Sequence, residues 1–205
     1  KGHRNRTETG TGNSIIIGQS NTTKGSNRNA IIIGDSNEVA SGVNNASVFG
    51  SYGLAERDGE VVIGGGGFNG AGKGYAQSST ITLTGTTTDN TATSLFVNGD
   101  PSTIIIARDS SVNSFQGFEA NVIGVRTGGT ALGNVNDRIF LRATGLVYLK
   151  AADQSVEVLG ESGAVRFFTA AVAFSGSNDM LFQVTGDTNK DISWSATLNL
   201  YKIIV

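Results

Sequence analysis

Asn13-Ser-Ile-Ile-Ile-Gly18 and Asn29-Ala-Ile-Ile-Ile-Gly34 are nearly one block written twice, and looser copies follow as Asn45-Ala-Ser-Val-Phe-Gly50 and Gly59-Glu-Val-Val-Ile-Gly64. The closing glycines fall 16, 16 and 14 residues apart. A period this short is too small for a domain. It fits one coil of a β-solenoid or β-roll, where each turn stacks on the next and none is stable alone. Between blocks the chain is polar and turn-rich, as in Gln19-Ser-Asn-Thr-Thr-Lys-Gly-Ser-Asn-Arg28, where Asn21 and Asn27 tolerate left-handed angles and Gly25 adopts them freely. Each coil therefore reads as a β-branched strand facing inward and a polar strand or turn facing water. Three consecutive isoleucines do not alternate with polar residues, so both faces of that strand need cover. One face is covered within the coil, and the simplest cover for the other is a second copy of the chain. Gly18, Gly34, Gly50 and Gly64 are the structural punctuation of this repeat.

The glycine-dense run Gly64–Gly74 ends the pattern and reads as a joint or neck. It divides the chain into a repeat with its neck at residues 1–76 and a second domain at 77–205. Strand-like runs then recur between turn signals: Thr80–Thr84, Ala92–Val97, Thr103–Ile106, Phe118–Val125, Arg138–Ala143, Leu146–Lys150, Val156–Leu159, Ala164–Phe174, Met180–Val184 and Ile192–Val205. In the last, Ile192, Trp194, Ala196, Leu198 and Leu200 alternate with Asp191, Ser193, Ser195, Thr197 and Asn199, which is the pattern of a half-buried strand. Short strands with no convincing helix predict an antiparallel β-sandwich of jelly-roll type. The whole chain is thus expected to be all-β: a short trimeric β-roll or solenoid followed by the sandwich.

Composition narrows the function. Fifteen basic and seventeen acidic side chains leave a formal charge of −2, without the concentrated positive field that nucleic-acid binding needs. There is no cysteine, hence no disulfide, thiolate metal site or cysteine nucleophile. No apolar run approaches the length of a bilayer-spanning helix, and no membrane insertion is expected. His3 is the sole histidine, near one end, so a Ser–His–acid triad or a histidine metal site is not expected. Gly64-Gly-Gly-Gly67 lacks the Lys-Ser/Thr of a phosphate-binding loop. Acidic residues such as Asp89, Glu119, Asp137, Glu157 and Asp187 fall mostly at expected turns or strand ends, where solvated carboxylates are ordinary. No catalytic residue, cofactor or metal is expected, and the chain is read as non-enzymatic.

Two resemblances follow from these residues. The blocks over residues 10–70 resemble the head repeats of trimeric bacterial adhesins of the YadA kind, with a 16-residue spacing that implies longer outer turns. The second half resembles a domain of bacteriophage tail-fibre and tailspike proteins. That likeness rests on Ile81-Thr-Leu-Thr-Gly-Thr-Thr-Thr-Asp89, Thr93-Ser-Leu-Phe-Val-Asn-Gly99 and Lys190-Asp-Ile-Ser-Trp-Ser-Ala196. It implies a homotrimer in a virion tail fibre, extracellular, joined to neighbouring tail-fibre segments and contacting the host surface. The expected role is passive attachment to a host-surface polysaccharide or lipopolysaccharide, with three equivalent weak sites acting together. Receptor contacts are expected in loops on a rigid scaffold: Asn134, Asn136, Asp137, Asn178, Asp179, Asp187, Asn189 and Lys190, with Tyr201 as an exposed aromatic on the last strand. Alternatives are a purely structural fibre spacer or collar, the head of a bacterial trimeric adhesin, and a sugar-cleaving spike.

Overall fold

The computed structural model describes residues 4–66, 72–101, 114–148, 151–162, 169–174 and 180–204. Among them are sixteen strands: β1 (Arg6–Thr7), β2 (Ile15–Gln19), β3 (Thr22–Thr23), β4 (Ile31–Asp35), β5 (Glu38–Val39), β6 (Ser47–Ser51), β7 (Leu54–Ala55), β8 (Val61–Gly65), β9 (Ala76–Thr87), β10 (Ala92–Val97), β11 (Ser114–Gly129), β12 (Arg138–Tyr148), β13 (Ala151–Ser162), β14 (Thr169–Phe174), β15 (Met180–Thr185) and β16 (Lys190–Ile204). The chain divides into two compact units. One comprises residues 1–81, 111–116 and 199–205; the other comprises 82–110 and 117–198.

The first unit is a parallel β-solenoid. Strands β2, β4, β6 and β8 stack in register, so that Ile16, Ile32, Val48 and Val62 form one rung and Gly18, Gly34, Gly50 and Gly64 another. A second parallel ladder, β1-β3-β5-β7, closes the other side of each coil. Between the ladders lies an apolar core of Ala30, Ile32, Val39, Val43, Ala46, Val48, Ala55 and Val62. β9 then adds antiparallel to β8, making the sheet mixed, and β16 follows β9.

Sharp corners let sixteen residues close a coil, and they recur at fixed places. Left-handed backbone appears at Arg4, Ser20, Ser36 and Tyr52, at Asn13, Asn29 and Asn45, and at the block glycines Gly18, Gly34 and Gly50. At the last of these places glycine is obligatory for a second reason. A Cβ on Gly18 would run into the Gly34 carbonyl oxygen, and one on Gly34 into that of Gly50.

Polar residues inside the coil are held by a ladder of asparagines. Asn5, Asn21 and Asn37 donate through Nδ2 to the carbonyls of Gly18, Gly34 and Gly50, at 3.0, 2.9 and 2.8 Å. Their Oδ1 atoms accept from the backbone N–H of Asn21, Asn37 and Gly53, at 3.1, 3.0 and 2.8 Å. Each side chain thus ties its own coil to the next. Asn21 and Asn27, read from the sequence as turn formers, are fully buried: Asn21 as a rung of this ladder, Asn27 donating to the Val39 carbonyl at 3.3 Å. In the shortened last coil, Glu60 is fully buried. Its carboxylate accepts from the N–H groups of Glu56 (2.8 Å) and Arg57 (3.2 Å) and from Arg57 Nη1 (2.7 Å).

In the second unit, strands follow the order β13-β12-β11-β16-β9, while β14-β15-β10 form a further sheet. β10 belongs to both: Ala92–Leu95 pair with β15, and Phe96 and Val97 pair with Thr84 and Leu83 of β9. Such a strand turns a corner between layers, the geometry of a sandwich. Side chains alternate as their strands require, with Leu83, Leu95, Phe118, Val122, Leu141, Phe182, Val184, Ile192, Trp194 and Leu198 buried. Trp194 is in the core, its indole N–H donating to Thr87 Oγ1 at 2.9 Å.

The expected runs Arg138–Ala143 and Leu146–Lys150 merge, through Tyr148, into one strand. Gly145 does not turn the chain there; a Cβ at this position would meet the Phe118 ring, so the glycine makes room for a buried aromatic. Thr103–Ile106, residues 164–168 of Ala164–Phe174, Leu149, Lys150 and Val205 lie outside the described residues.

Candidate functional site

Three turns meet at one end of the second unit, because the strands they join end in register there. Thr185 pairs with both Ala92 and Thr169, and Arg138 pairs with Ser162. The turns are 88–91, 130–137 and 186–189. Glycines key them together. A Cβ on Gly186 would strike Thr87 Oγ1 and the Asp89 carbonyl, and one on Gly129 would strike the Asn189 carbonyl. The Ala131 N–H donates to that same carbonyl at 3.1 Å.

Two buried cations lie under this surface, on the inward phase of β11 and β16. Arg126 spends its guanidinium on backbone carbonyls: Gly128 (2.8 Å), Gly129 (3.2 Å), Ala131 (2.7 Å) and Leu132 (3.1 Å). Lys190 Nζ pairs with Asp187 Oδ2 at 2.7 Å. Asp137 is buried and accepts from the Asn134 N–H at 2.8 Å, while its own carbonyl accepts from the Arg126 N–H at 2.8 Å.

Of the residues singled out in the sequence, the fold thus brings Asn134, Asn136, Asp137, Asp187, Asn189 and Lys190 to one end of one unit. Asp137 and Lys190 face inward and hold the turns, whereas Asn134 and Asn136 are exposed. Asn178 and Asp179 lie outside the described residues. The loop also carries exposed apolar residues that sequence reading passed over, Val135 and Leu132, the latter 90% exposed. Arg126 was legible in principle: it continues the inward phase of Phe118, Ala120, Val122 and Gly124, and a buried guanidinium demands acceptors.

Tyr201 lies in the first unit, on a different kind of surface. The coil strands present Ile15, Ile17, Ile31, Ile33, Phe49, Val61 and Ile63 on the face opposite their core, and Ile17 and Ile63 are 56% and 58% exposed. Ser78 and Thr80 of β9 pair with Ile63 and Val61, and Thr80 donates to Asn199 Oδ1 at 2.8 Å. Asn199, Tyr201 and Ile203 therefore continue this face, with Tyr201 and Ile203 exposed.

The Asp89 carboxyl is held below its ordinary pKa by the Thr91 N–H, which donates to it at 2.7 Å, and by the Thr91 hydroxyl. No group of three or more histidines, cysteines or carboxylates among the described residues is placed to hold a metal ion. Nor is any helix among them long and apolar enough to cross a membrane.

Fold and loops define an all-β protein with a parallel β-solenoid region and a sandwich-like unit. No family model matches the chain, and no curated protein does. Among solved structures it is similar to a tailspike protein of Acinetobacter baumannii bacteriophage Fri1, a capsular polysaccharide depolymerase, at 7% identity and a TM-score of 0.37. It is also similar to the tailspike protein of Acinetobacter baumannii phage AM24, at 11% identity and a TM-score of 0.30, and to that of Acinetobacter phage vB_ApiP_P1, at 11% and 0.29. Each match covers 91% of this chain and 42%, 41% and 42% of the respective tailspike, so the chain spans about two fifths of their length. Identities and TM-scores this low assign no function, and the fold assignment rests on this chain's own strand ladders.

Proposed function

We propose that this chain is a segment of a homotrimeric phage tail fibre that attaches the virion, without enzymatic action, to a host cell-surface polysaccharide or lipopolysaccharide. The observation that carries the reading is the solenoid sheet, buried on one face and apolar but uncovered on the other. A contiguous apolar face of this kind marks an association surface. In a closed homo-oligomer each copy covers the same patch on its neighbour. Tyr201 belongs to that patch, so it reads better as a subunit contact than as a platform for sugar. The receptor surface is then the loop end formed by 130–137 and 186–189, on a scaffold stiff enough to present it.

Light scattering tests the assembly: the expected mass is about three times the 21.2 kDa chain. Ile17→Lys with Ile63→Lys should lower it. A wild-type chain stable at 21.2 kDa would sink the trimer. Attachment is tested separately by binding to susceptible cells and to their purified polysaccharide, and release of oligosaccharides would overturn the non-enzymatic reading. A second reading, a fibre spacer or collar, is favoured by the in-register coil stack itself; it predicts a trimer that binds no host surface. The head of a bacterial trimeric adhesin predicts instead a membrane-anchor barrel in the full-length gene.

A further inference from the structure

The loop over β11–β12 has a polarity set by Arg126. Four carbonyls, those of Gly128, Gly129, Ala131 and Leu132, converge on one guanidinium. No peptide bond here is cis, and in a trans peptide the N–H points opposite to the carbonyl. The amide hydrogens of Thr130, Leu132 and Gly133 must therefore point away from Arg126, and all three residues are exposed. Among the described residues these three N–H groups have no protein acceptor. Beside them stand the bare side chains of Leu132 and Val135. The loop thus offers fixed donors next to an apolar contact.

The surrounding charges decide which ligand suits it. Arg126, Arg138 and Lys190 stand at this end with Asp89, Asp137, Asp187 and Asp191, Lys190 paired to Asp187 and Asp191 against Gly128. Four carboxylates against three cations do not favour an anionic ligand. Carbonyls that converge on one guanidinium leave the opposite N–H groups divergent, so a ligand oxygen takes one of them. A neutral group that joins a carbonyl acceptor to a methyl fits, the oxygen accepting from the Leu132 or Gly133 N–H and the methyl lying on Leu132. We infer that this loop recognises an acetylated sugar, an acetamido sugar above all, and that Arg126 is the residue that positions the donors. Because the loop is braced in the free protein, little ordering entropy opposes binding. The inference rests on the attachment reading above and names the ligand class for that same site.

The test compares two neutral β-1,4-linked tetrasaccharides, tetraacetyl-chitotetraose and cellotetraose, which differ at the acetamido group. Saturation-transfer NMR with the intact chain should show the acetyl methyl protons most strongly saturated, and cellotetraose should show little signal. Leu132→Ala, at a 90% exposed position where folding is not at stake, should weaken binding about five- to tenfold. Arg126→Met should abolish it and expose the 128–133 loop to protease, while Leu132→Ala should leave loop protection intact. Equal binding of both tetrasaccharides, or binding untouched by Leu132→Ala, would overturn acetyl recognition and leave attachment standing. Binding of neither sugar would also overturn it. Attachment itself falls only if host cells and their polysaccharide are not bound either.

Discussion

The solenoid and the sandwich-like unit solve one problem, holding polar side chains among buried apolar strands, by opposite means. In the solenoid every residue meets its own equivalent one coil away, so a single device solves the problem repeatedly: the Asn5–Asn21–Asn37 ladder serves three coils with one geometry. In the sandwich-like unit a buried polar group is met by partners that recur nowhere else, as in Trp194 with Thr87 across the sequence or Arg126 with four carbonyls of one loop. Repetition makes errors propagate. Uniqueness confines them.

That contrast can be broken most directly at the glycine rung. Gly34→Ala sets a methyl against the Gly50 carbonyl at a residue whose φ is +136°. Because the same clash cannot be relieved without separating two coils, the expected result is loss of cooperative unfolding in the solenoid. Calorimetry showing a normal transition would refute the rigid stacking described above.

The next largest effect belongs to the pair Arg57–Glu60. Arg57→Met removes the counter-charge of a buried carboxylate, which keeps two backbone N–H donors, and should cost about 3 kcal/mol in urea unfolding. Removing both charges together, as Arg57→Met with Glu60→Met, should recover most of that loss. A double variant as unstable as the single one would mean that Glu60 matters mainly through the N–H groups of Glu56 and Arg57.

A third comparison sits within the ladders themselves. Asn37→Ala deletes bonds to Gly50 and Gly53 and should cost about 1–3 kcal/mol. Thr23 is also buried in a coil, yet its hydroxyl has no partner and its rung continues as Val39 and Ala55. Thr23→Val should therefore stabilise the solenoid, by about 1 kcal/mol. The two substitutions delete a polar group at equivalent depth, and opposite signs in chemical denaturation are the signature expected.

The smallest effect lies in the sandwich-like unit. Asp89 has a folded pKa below its unfolded value, so the stabilisation from its bond to Thr91 is present above the unfolded carboxylate pKa and lost as pH falls through the folded one. A carboxyl titration followed by NMR should place Asp89 below an ordinary aspartate, and Thr91→Pro, which removes the N–H donor, should bring it back up.

These contrasts also explain what the residues disclosed in advance. The coil period was legible because Gly18, Gly34, Gly50 and Gly64 mark it in one dimension, and the inward phase of Trp194 because period-two alternation is local. The destinations of Asn21 and Asn27 were not legible. Their turn propensity is a property of the residue, whereas a bond from Asn21 to Gly34 is a property of the next coil. The loop surface shows both limits. Asn134, Asn136 and Asn189 advertise turns, and β-pairing brings those turns to one end. The donors of Thr130, Leu132 and Gly133 depend on where Arg126 points, which no short window of sequence contains.

The in-register coil ladders carry a mechanical consequence. Each full coil consumes sixteen residues, and the last fourteen, for one strand spacing of about 4.8 Å, whereas an α-helix of sixteen residues would reach about 24 Å. Material is laid down in cross-section instead of reach. The inter-coil hydrogen bonds point along the stacking direction, so traction on that axis strains all the bonds of a junction together and none can yield first.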